Sequence, residues 1–123
     1  DADIEFSSSI SDSLGEFTGD KIKLQQVILN LLKNAEEAIT EHGSIHLSAV
    51  RNHDAVIITC TDTGCGITPE QMDCIFQPFV TYKPGGTGLG LAFSRKIAEA
   101  HEGALTAVST PQESTTFTLT LPV

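Results

Sequence analysis

Glycine is concentrated in one short segment of this chain. The run from Gly85 to Leu91 reads Gly-Gly-Thr-Gly-Leu-Gly-Leu, so four of its seven residues carry no side chain. Backbone N–H groups in such a loop can close around an anion, because no Cβ atom holds the anion away. Gly88 and Gly90 open a segment of helical pattern, whose N-terminal N–H groups and dipole favour a phosphate. The segment therefore predicts a loop that binds the phosphates of a nucleotide.

Two asparagines form a second candidate site. Asn30 and Asn34 lie four residues apart in Asn-Leu-Leu-Lys-Asn-Ala, so they share one face of a helix. Asn34 falls at the edge of the apolar stripe, where an amide needs polar partners. Neighbouring backbone or water could supply them, and so could a ligand. Lys33 could reach a phosphate, although a solvated lysine on the helix surface explains it equally well.

A carboxylate at the end of a predicted strand forms a third candidate site. Asp62 precedes Gly64 and Gly66, whose missing side chains let a planar base approach the backbone. A carboxylate accepts hydrogen bonds and cannot donate them, so it suits the exocyclic amine of adenine and disfavours the carbonyl of guanine. A simple Asp-Thr-Gly turn is the alternative for this segment taken alone.

Together these segments resemble the motifs of sensor histidine kinases. Order and spacing match, and the resemblance extends over nearly the whole chain. The matching segments are Asn30–Ala35 for the asparagine box, Asp62–Gly66 for the first glycine box, Ile75–Phe79 for the phenylalanine box and Gly86–Leu91 for the second glycine box.

The resemblance implies a site for ATP and Mg²⁺. In it, the amide oxygen of Asn34 ligates Mg²⁺, a hard cation that prefers oxygen ligands, and Asn30 orients the phosphates or the metal-bound waters. Thr115 matches a late family threonine that hydrogen-bonds around the aspartate and the base, although Ser114 replaces its usual glycine neighbour. The other implied nucleotide contacts, besides Asp62, are Gly64, Gly66, Gly86, Thr87, Gly88, Leu89, Gly90 and Leu91.

The segment before the glycine loop resembles a short ATP lid. Lys83 lies within it and could approach the β- or γ-phosphate as a mobile positive charge. Phe76 and Phe79 match the hinge of that lid, and packing in the core is the equal alternative for both.

The residue at position 30 bears on the reaction. Gyrase-like ATPases of the wider superfamily have a glutamate general base there, whereas an asparagine cannot accept a proton from water at neutral pH. This favours transfer of the γ-phosphoryl of ATP to a histidine over hydrolysis. A related serine kinase, an ATPase and a non-enzymatic ATP-binding module of the same superfamily are the alternatives.

The phosphoacceptor histidine is expected outside this sequence. None of the four histidines, His42, His46, His53 and His101, is followed by an acidic residue in a helical hairpin as in the family. Residues 1–123 thus resemble a catalytic and ATP-binding domain alone, whose partners are a separate helical dimerisation and phosphoacceptor domain and a downstream response regulator. Autophosphorylation by this fragment is not expected.

Composition fits one acidic domain. The chain has 123 residues, 40% of them hydrophobic, and a formal charge of −9 that opposes binding to nucleic acid. Three cysteines without paired metal-ligand spacing, Cys60, Cys65 and Cys74, favour a reduced compartment and core packing over redox sensing. No apolar run approaches the roughly 20 residues of a membrane span. We therefore expect a cytoplasmic domain without membrane contact. It would belong to a longer protein, whose other segments could include a membrane anchor.

Hydrophobic periodicity predicts an α+β fold with one mixed sheet and helices on one face. The resemblance implies the two-layer α/β sandwich, the Bergerat-type ATP-binding fold, of histidine kinases, gyrase and mismatch-repair ATPases. The predicted elements are a strand over Ile4–Ile10, an extended piece near Leu14–Thr18, a helix from Asp20 to about Glu41 stopped by Gly43, a hairpin that turns at Asn52–Asp54, a short helix capped by Thr68, a helix over Leu89–Glu102 and strands over Ala104–Ser109 and Thr115–Leu121.

Overall fold

A five-stranded mixed sheet carries the helices of this domain. The computed structural model describes residues 3–12, 14–79 and 90–123. In chain order the elements are β1 (Asp3–Ile10), α1 (Lys21–Ala38), β2 (His42–Arg51), β3 (Ala55–Asp62), α2 (Pro69–Met72), α3 (Gly90–Ala100), β4 (Ala104–Thr110) and β5 (Ser114–Pro122). The strand order is β1-β2-β3-β5-β4, with β1 parallel to β2 and the other pairs antiparallel. The predicted α+β fold is confirmed.

Strict alternation along the central strands separates two faces of the sheet. The face covered by α1 and α3 carries the buried side chains, among them Val56, Cys60 and Leu119. The opposite face is rich in hydroxyl groups, and Thr61 and Thr116 hydrogen-bond across it at 2.9 Å between their Oγ1 atoms. The apolar core therefore lies in one layer between the sheet and the two long helices.

Helix α1 ends earlier than its sequence predicts. It begins after the N-cap Asp20, whose Oδ1 accepts a hydrogen bond from the backbone N–H of Lys23 at 3.1 Å. It ends at Ala38 because the carbonyl oxygen of Ala38 accepts from the distant N–H of Cys65 at 3.0 Å, and Ile39 turns into the core. The predicted end near Glu41 is therefore wrong.

Gly43 does not stop this helix but lies inside β2. A Cβ atom at Gly43 would stand 2.9 Å from Oγ1 of Thr63 and 3.1 Å from the side chain of Ile39. The glycine allows this close approach. His42, which the sequence places at the end of the helix, is the first residue of the same strand.

Helices α1 and α3 run antiparallel and are joined at one end by a histidine. The N–H of Asp20 donates to Nε2 of His101 at 2.9 Å, and Nδ1 of the same ring lies 2.8 Å from the carbonyl oxygen of Ile97. Because Nε2 accepts and the carbonyl cannot donate, the ring proton is on Nδ1 and the imidazole is neutral. His101 thus links the start of α1 to the end of α3.

The segment predicted to be extended near Leu14–Thr18 has no regular secondary structure. Arg51 holds it instead, because its Nη1 donates to the carbonyl oxygens of Leu14 at 2.9 Å and Glu16 at 2.7 Å. The predicted cap of α2 by Thr68 is present, and it is one half of a capping box in which Thr68 and Gln71 each bond the other's backbone N–H.

Candidate functional site

Three polar side chains form a row across the helix-covered face of the sheet. Asp62 of β3 pairs with Thr115 of β5, and Thr115 pairs in turn with Ser109 of β4. Asp62 and Thr115 are each only 3% exposed. We call Asp62, Thr115 and Ser109 the polar row. A buried carboxylate is costly unless hydrogen-bonded, so this row is a strong candidate for a ligand site.

The loop after Asp62 folds back on its own carboxylate. Oδ1 of Asp62 accepts from the N–H of Gly64 at 2.8 Å. A Cβ atom at Gly64 would lie 2.5 Å from the carbonyl oxygen of Ala38, closer than real Cβ atoms approach. Gly64 is therefore required for the loop to pack on the end of α1.

A glycine is also required at position 66 of this loop. Its φ is +72°, in the left-handed region that favours glycine, and a Cβ atom there would lie 2.5 Å from the carbonyl oxygen of Thr110. The N–H of Gln112 also donates to the carbonyl oxygen of Cys65 at 2.6 Å. Both glycines thus fit the loop between α1 and the β4–β5 turn, and the predicted approach of a base to them stays a prediction.

Asn30 connects α1 to the first turn of α3. Its Nδ2 donates to Oγ of Ser94 at 3.1 Å and lies 3.4 Å from the carbonyl oxygen of Gly90, a longer contact. Ser94 is completely buried. The predicted site residue Asn30 therefore positions the N-terminus of α3, the element expected to face phosphate.

Asn34 lies between the two ends of this arrangement. It is half-buried, four residues after Asn30 and four before Ala38. Asn30 contacts α3, and Ala38 contacts the loop after Asp62. At about 1.5 Å per residue, Asn34 is about 6 Å along the helix from each contact. Asn34 therefore lies on α1 between the contact with α3 and the contact with the loop after Asp62.

Part of the predicted phosphate loop is outside the described residues. Lys83, Gly86, Thr87, Gly88 and Leu89 all fall there. Gly90 is the first residue of α3 and is exposed, and Leu91 packs against the core.

Comparison with known proteins identifies the family. Residues 19–123 match the family described as histidine kinase-, DNA gyrase B- and HSP90-like ATPases. The catalytic domain of the histidine kinase ThkA superposes with a TM-score of 0.86 at 30% identity, over 97% of this chain and 80% of that one. The chain belongs to the catalytic domains of histidine kinases.

Curated relatives of this catalytic domain are longer proteins. The sensor histidine kinase ZraS of Escherichia coli K12 is 43% identical over 98% of this chain, which covers 26% of ZraS. Sporulation kinase B of Bacillus subtilis is 43% identical over 85% of this chain, which covers 24% of that protein. The chain thus spans about a quarter of these relatives. Full-length ShkA, solved in complex with AMPPNP, superposes at a TM-score of 0.86 with 31% identity, over 97% of this chain and 25% of that one.

The two phenylalanines of the phenylalanine box have different environments in this catalytic domain. Phe76 packs edge-on against Phe117 with ring centroids 6.4 Å apart, and the guanidinium of Arg95 lies 4.8 Å from the Phe76 centroid. Phe79 is 76% exposed with a φ of 67°. The core alternative therefore describes Phe76, whereas Phe79 lies at the surface next to the undescribed segment.

The cysteines of the catalytic domain also differ. Cys60 is buried beside the polar row, and its Sγ–H donates to the carbonyl oxygen of Leu31 at 3.8 Å. Burial and, as the smaller cause, the nearby Asp62 carboxylate together raise the pKa of the Cys60 thiol to about 11. Cys65 is exposed and Cys74 half-buried, so the prediction of a core role is confirmed for Cys60 alone.

The side chains that could ligate a metal ion indicate which kind of ion the site fits. Within residues 3–12, 14–79 and 90–123, no group of three or more His, Cys, Asp or Glu side chains is arranged to hold one. A thiolate or imidazole cluster for a soft metal is therefore missing from that part of the chain. The amide oxygen of Asn34 is a hard donor that fits Mg²⁺, which usually takes few protein ligands and keeps waters or phosphate oxygens.

Several residues of the site are missed by reasoning from the sequence. Ser94 supports Asn30, and Ser109 supports Thr115. A serine on the buried stripe of α3 is a signal for Ser94, since a polar group there needs a partner.

None of the described helices combines the length and apolar character that crossing a membrane requires.

Proposed function

We propose that this catalytic domain binds Mg²⁺-ATP and transfers the γ-phosphoryl group to a histidine on a separate helical dimerisation domain, in two-component signalling. The buried pair of Asp62 and Thr115, side by side at the end of β3 and the start of β5, is the observation that carries the proposal. The relatives' names support it, since ZraS is a sensor histidine kinase.

In the proposed complex, Asp62 binds the base. Its carboxylate already accepts from the N–H of Gly64, which orients the group. An ionised carboxylate has further acceptor positions, and the exocyclic amine of adenine would fill one of them. The loop that holds Asp62 is fixed through Gly64 and Gly66 on two sides.

The phosphates are proposed to lie toward the N-terminus of α3. Asn30 holds that N-terminus, and exposed N–H groups there favour an anion. Asn34 would hold Mg²⁺ through its amide oxygen, and the ion would offset the charge of the phosphates of ATP. Gly86, Thr87, Gly88, Leu89, Gly90 and Leu91 are proposed phosphate-loop contacts, and Lys83 a mobile cation at the β- or γ-phosphate.

The side-chain amide of Asn30 favours phosphoryl transfer over hydrolysis. Its amide nitrogen is engaged with Ser94, and an amide cannot accept a proton from water. This supports a kinase over an ATPase of the gyrase type.

The positions of the histidines support an acceptor on another domain, because His42 and His46 lie in β2, His53 in the β2–β3 turn and His101 directly after α3, and none is in a helical hairpin. Both ring nitrogens of His101 are hydrogen-bonded, and Nδ1 of His46 lies 2.7 Å from Oγ of Ser7. His42 and His53 are exposed at the start of β2 and in the β2–β3 turn. The proposed partners are a helical phosphoacceptor domain and, after it, a response regulator, and the proposed location is cytoplasmic.

Calorimetric titration of this chain with ATP, with and without Mg²⁺ and with free phosphate assayed in the same sample, tests the proposal. We expect binding that Mg²⁺ strengthens and negligible phosphate release. Absence of binding would refute the proposal, and steady phosphate release without an acceptor would support an ATPase instead.

A second experiment tests the acceptor. The chain is incubated with radiolabelled ATP and a separately produced helical phosphoacceptor domain of a relative. Acid-labile phosphate on that domain supports a histidine kinase. Acid-stable phosphate would support the alternative of a serine kinase.

A further inference from the structure

Ser109 is the centre of a hydrogen-bond network at the end of the polar row. Its Oγ accepts from the N–H of Ile67 at 2.7 Å. The same Oγ lies 2.8 Å from the carbonyl oxygen of Ser114 and 2.9 Å from Oγ1 of Thr115. A serine hydroxyl has one hydrogen to donate and two lone pairs to accept with, so these three bonds use its full capacity.

The direction of each bond follows from this count. A carbonyl oxygen cannot donate, so the contact with Ser114 takes the single hydrogen of Ser109. The bond between Ser109 and Thr115 must then run the other way, with the Thr115 hydroxyl as donor. The hydrogen of Thr115 therefore points at Ser109, away from Asp62 on the other side of Thr115 in the row.

We propose that Ser109 is a positioning residue for base specificity, because it consumes the hydroxyl hydrogen of Thr115 and leaves Thr115 with only acceptor lone pairs for the ligand. Asp62 also only accepts, so the two buried groups at this end of the site are both acceptors. A 6-amino purine presents N–H donors to them. A 6-oxo purine presents a carbonyl acceptor at the same position, so an acceptor faces acceptors there.

This inference rests on the proposed function and deepens it. Asp62 alone disfavours a carbonyl, but a threonine hydroxyl beside it that could rotate would donate to that carbonyl and weaken the discrimination. Ser109 prevents the rotation. It does so through the β4–β5 pair and through Ile67, which follows the loop after Asp62.

The test compares the affinities of the Mg²⁺ complexes of ATP and ITP for this chain and its variants by calorimetry. In Ser109→Ala the Thr115 hydroxyl is released and can donate to the 6-oxo group. We expect the ratio of ATP to ITP affinity to fall about fivefold or more, which is the size of one neutral hydrogen bond. Ser109→Thr keeps the hydroxyl and should keep the ratio near that of the parent.

Ser48→Ala is the matched control, because Ser48 is also a strand serine bonded to a threonine, Thr59, on the opposite face of the sheet. It should leave the ratio unchanged. If Ser109→Ala does not fold, Ser109→Cys replaces it, and its weak thiol should lower the ratio in the same direction.

Two results would overturn the inference. One is an unchanged ratio in the folded Ser109→Ala or Ser109→Cys variant, even if both affinities fall together. The other is a fall in the ratio of ATP to ITP affinity that is as large in Ser109→Thr as in Ser109→Ala. Failure of the parent chain to bind ATP would instead refute the proposed function itself, so the two failures are distinguishable.

Discussion

Nδ2 of Asn30 donates to the buried hydroxyl of Ser94 at 3.1 Å and joins the middle of α1 to the start of the second turn of α3. The two residues are 64 positions apart, so the bond fixes two distant parts of the chain. Its donor is the residue that the family resemblance places near the phosphates. The contact therefore links a predicted site residue to the packing of the two long helices.

This contact predicts energetic coupling between the two residues. Asn30→Ala and Ser94→Ala should each lower the free energy of unfolding, by about 1 kcal/mol or more, because each leaves a polar partner without its bond. The double variant should cost less than the sum by about 1 kcal/mol. Urea denaturation of the four proteins measures the coupling, and additive effects would mean that the bond contributes no net stability. Thr106→Ala, at an exposed position of β4, should show no coupling with Asn30→Ala.

Asp62→Asn should weaken ATP binding by roughly tenfold or more, since an NH₂ group would replace one carboxylate acceptor and the remaining oxygen can still bond Gly64. Calorimetry measures the affinity, and Asp54→Asn in the exposed β2–β3 turn is the control of equal charge change. Near-parental binding by Asp62→Asn would contradict the assignment of the base.

Asn34→Ala should abolish the gain in ATP affinity that Mg²⁺ provides, because the proposed amide ligand is lost. The measurement is the ratio of ATP affinities with Mg²⁺ and with a chelator. Gln26→Ala, on an exposed position of the same helix, should keep the ratio of the parent. If Asn34→Ala also keeps it, Asn34 does not hold the ion.

Gly64→Ala should destabilise the fold by about 2 kcal/mol or more, because the added Cβ would lie 2.5 Å from the carbonyl oxygen of Ala38. Gly90→Ala is the matched control: the nearest atom to its added Cβ is 3.8 Å away, and alanine is the better helix former. Thermal or urea unfolding of both variants measures the difference. Equal stability of the two variants would show that the loop after Asp62 shifts without cost.

The raised pKa of the Cys60 thiol predicts that the domain loses stability at alkaline pH. Folding raises the pKa of its thiol from 9.0 to about 11, so the folded state holds the proton more tightly. The resulting stability is fully present below pH 9 and is lost as the pH rises through about 11. The loss should amount to about 2 kcal/mol.

The measurement is the free energy of unfolding of the parent and of Cys60→Ala between pH 8 and about 11, since their difference isolates this thiol from other alkaline titrations. The parent should lose more stability than the variant over this range. Cys65→Ala, at an exposed cysteine, should follow the parent curve. Parallel curves for the parent and Cys60→Ala would contradict the shifted pKa.

The sequence predicts the elements of this fold well because their signals are local. The alternation along β3 and β5 and the three-and-four spacing in α1 each depend on residues a few positions apart. The predicted end of α1 is wrong because the real end depends on the hydrogen bond from Cys65 to Ala38. These residues are 27 positions apart, so no local pattern contains this bond.

The same reasoning separates the parts of the candidate site. Asp62, Asn30 and the glycines could be predicted as site residues because motif spacing points to them. Ser109 and Ser94 could not, because their roles arise only when β4 meets β5 and α3 meets α1. The position of Arg95 over Phe76 likewise requires two segments that are separate in sequence.

Helix α1 contacts α3 through Asn30 and the loop after Asp62 through Ala38, so its backbone acts as a spacer of fixed length between them. Eight residues of helix correspond to about 12 Å, and the proposed ligand would have its base at one end of this spacer and its phosphates at the other. His101 links the start of α1 to the end of α3, so the position of α1 along α3 is held by a contact at that end as well. The domain would thus measure its ligand from base to phosphate and reject one that is too short to reach both ends.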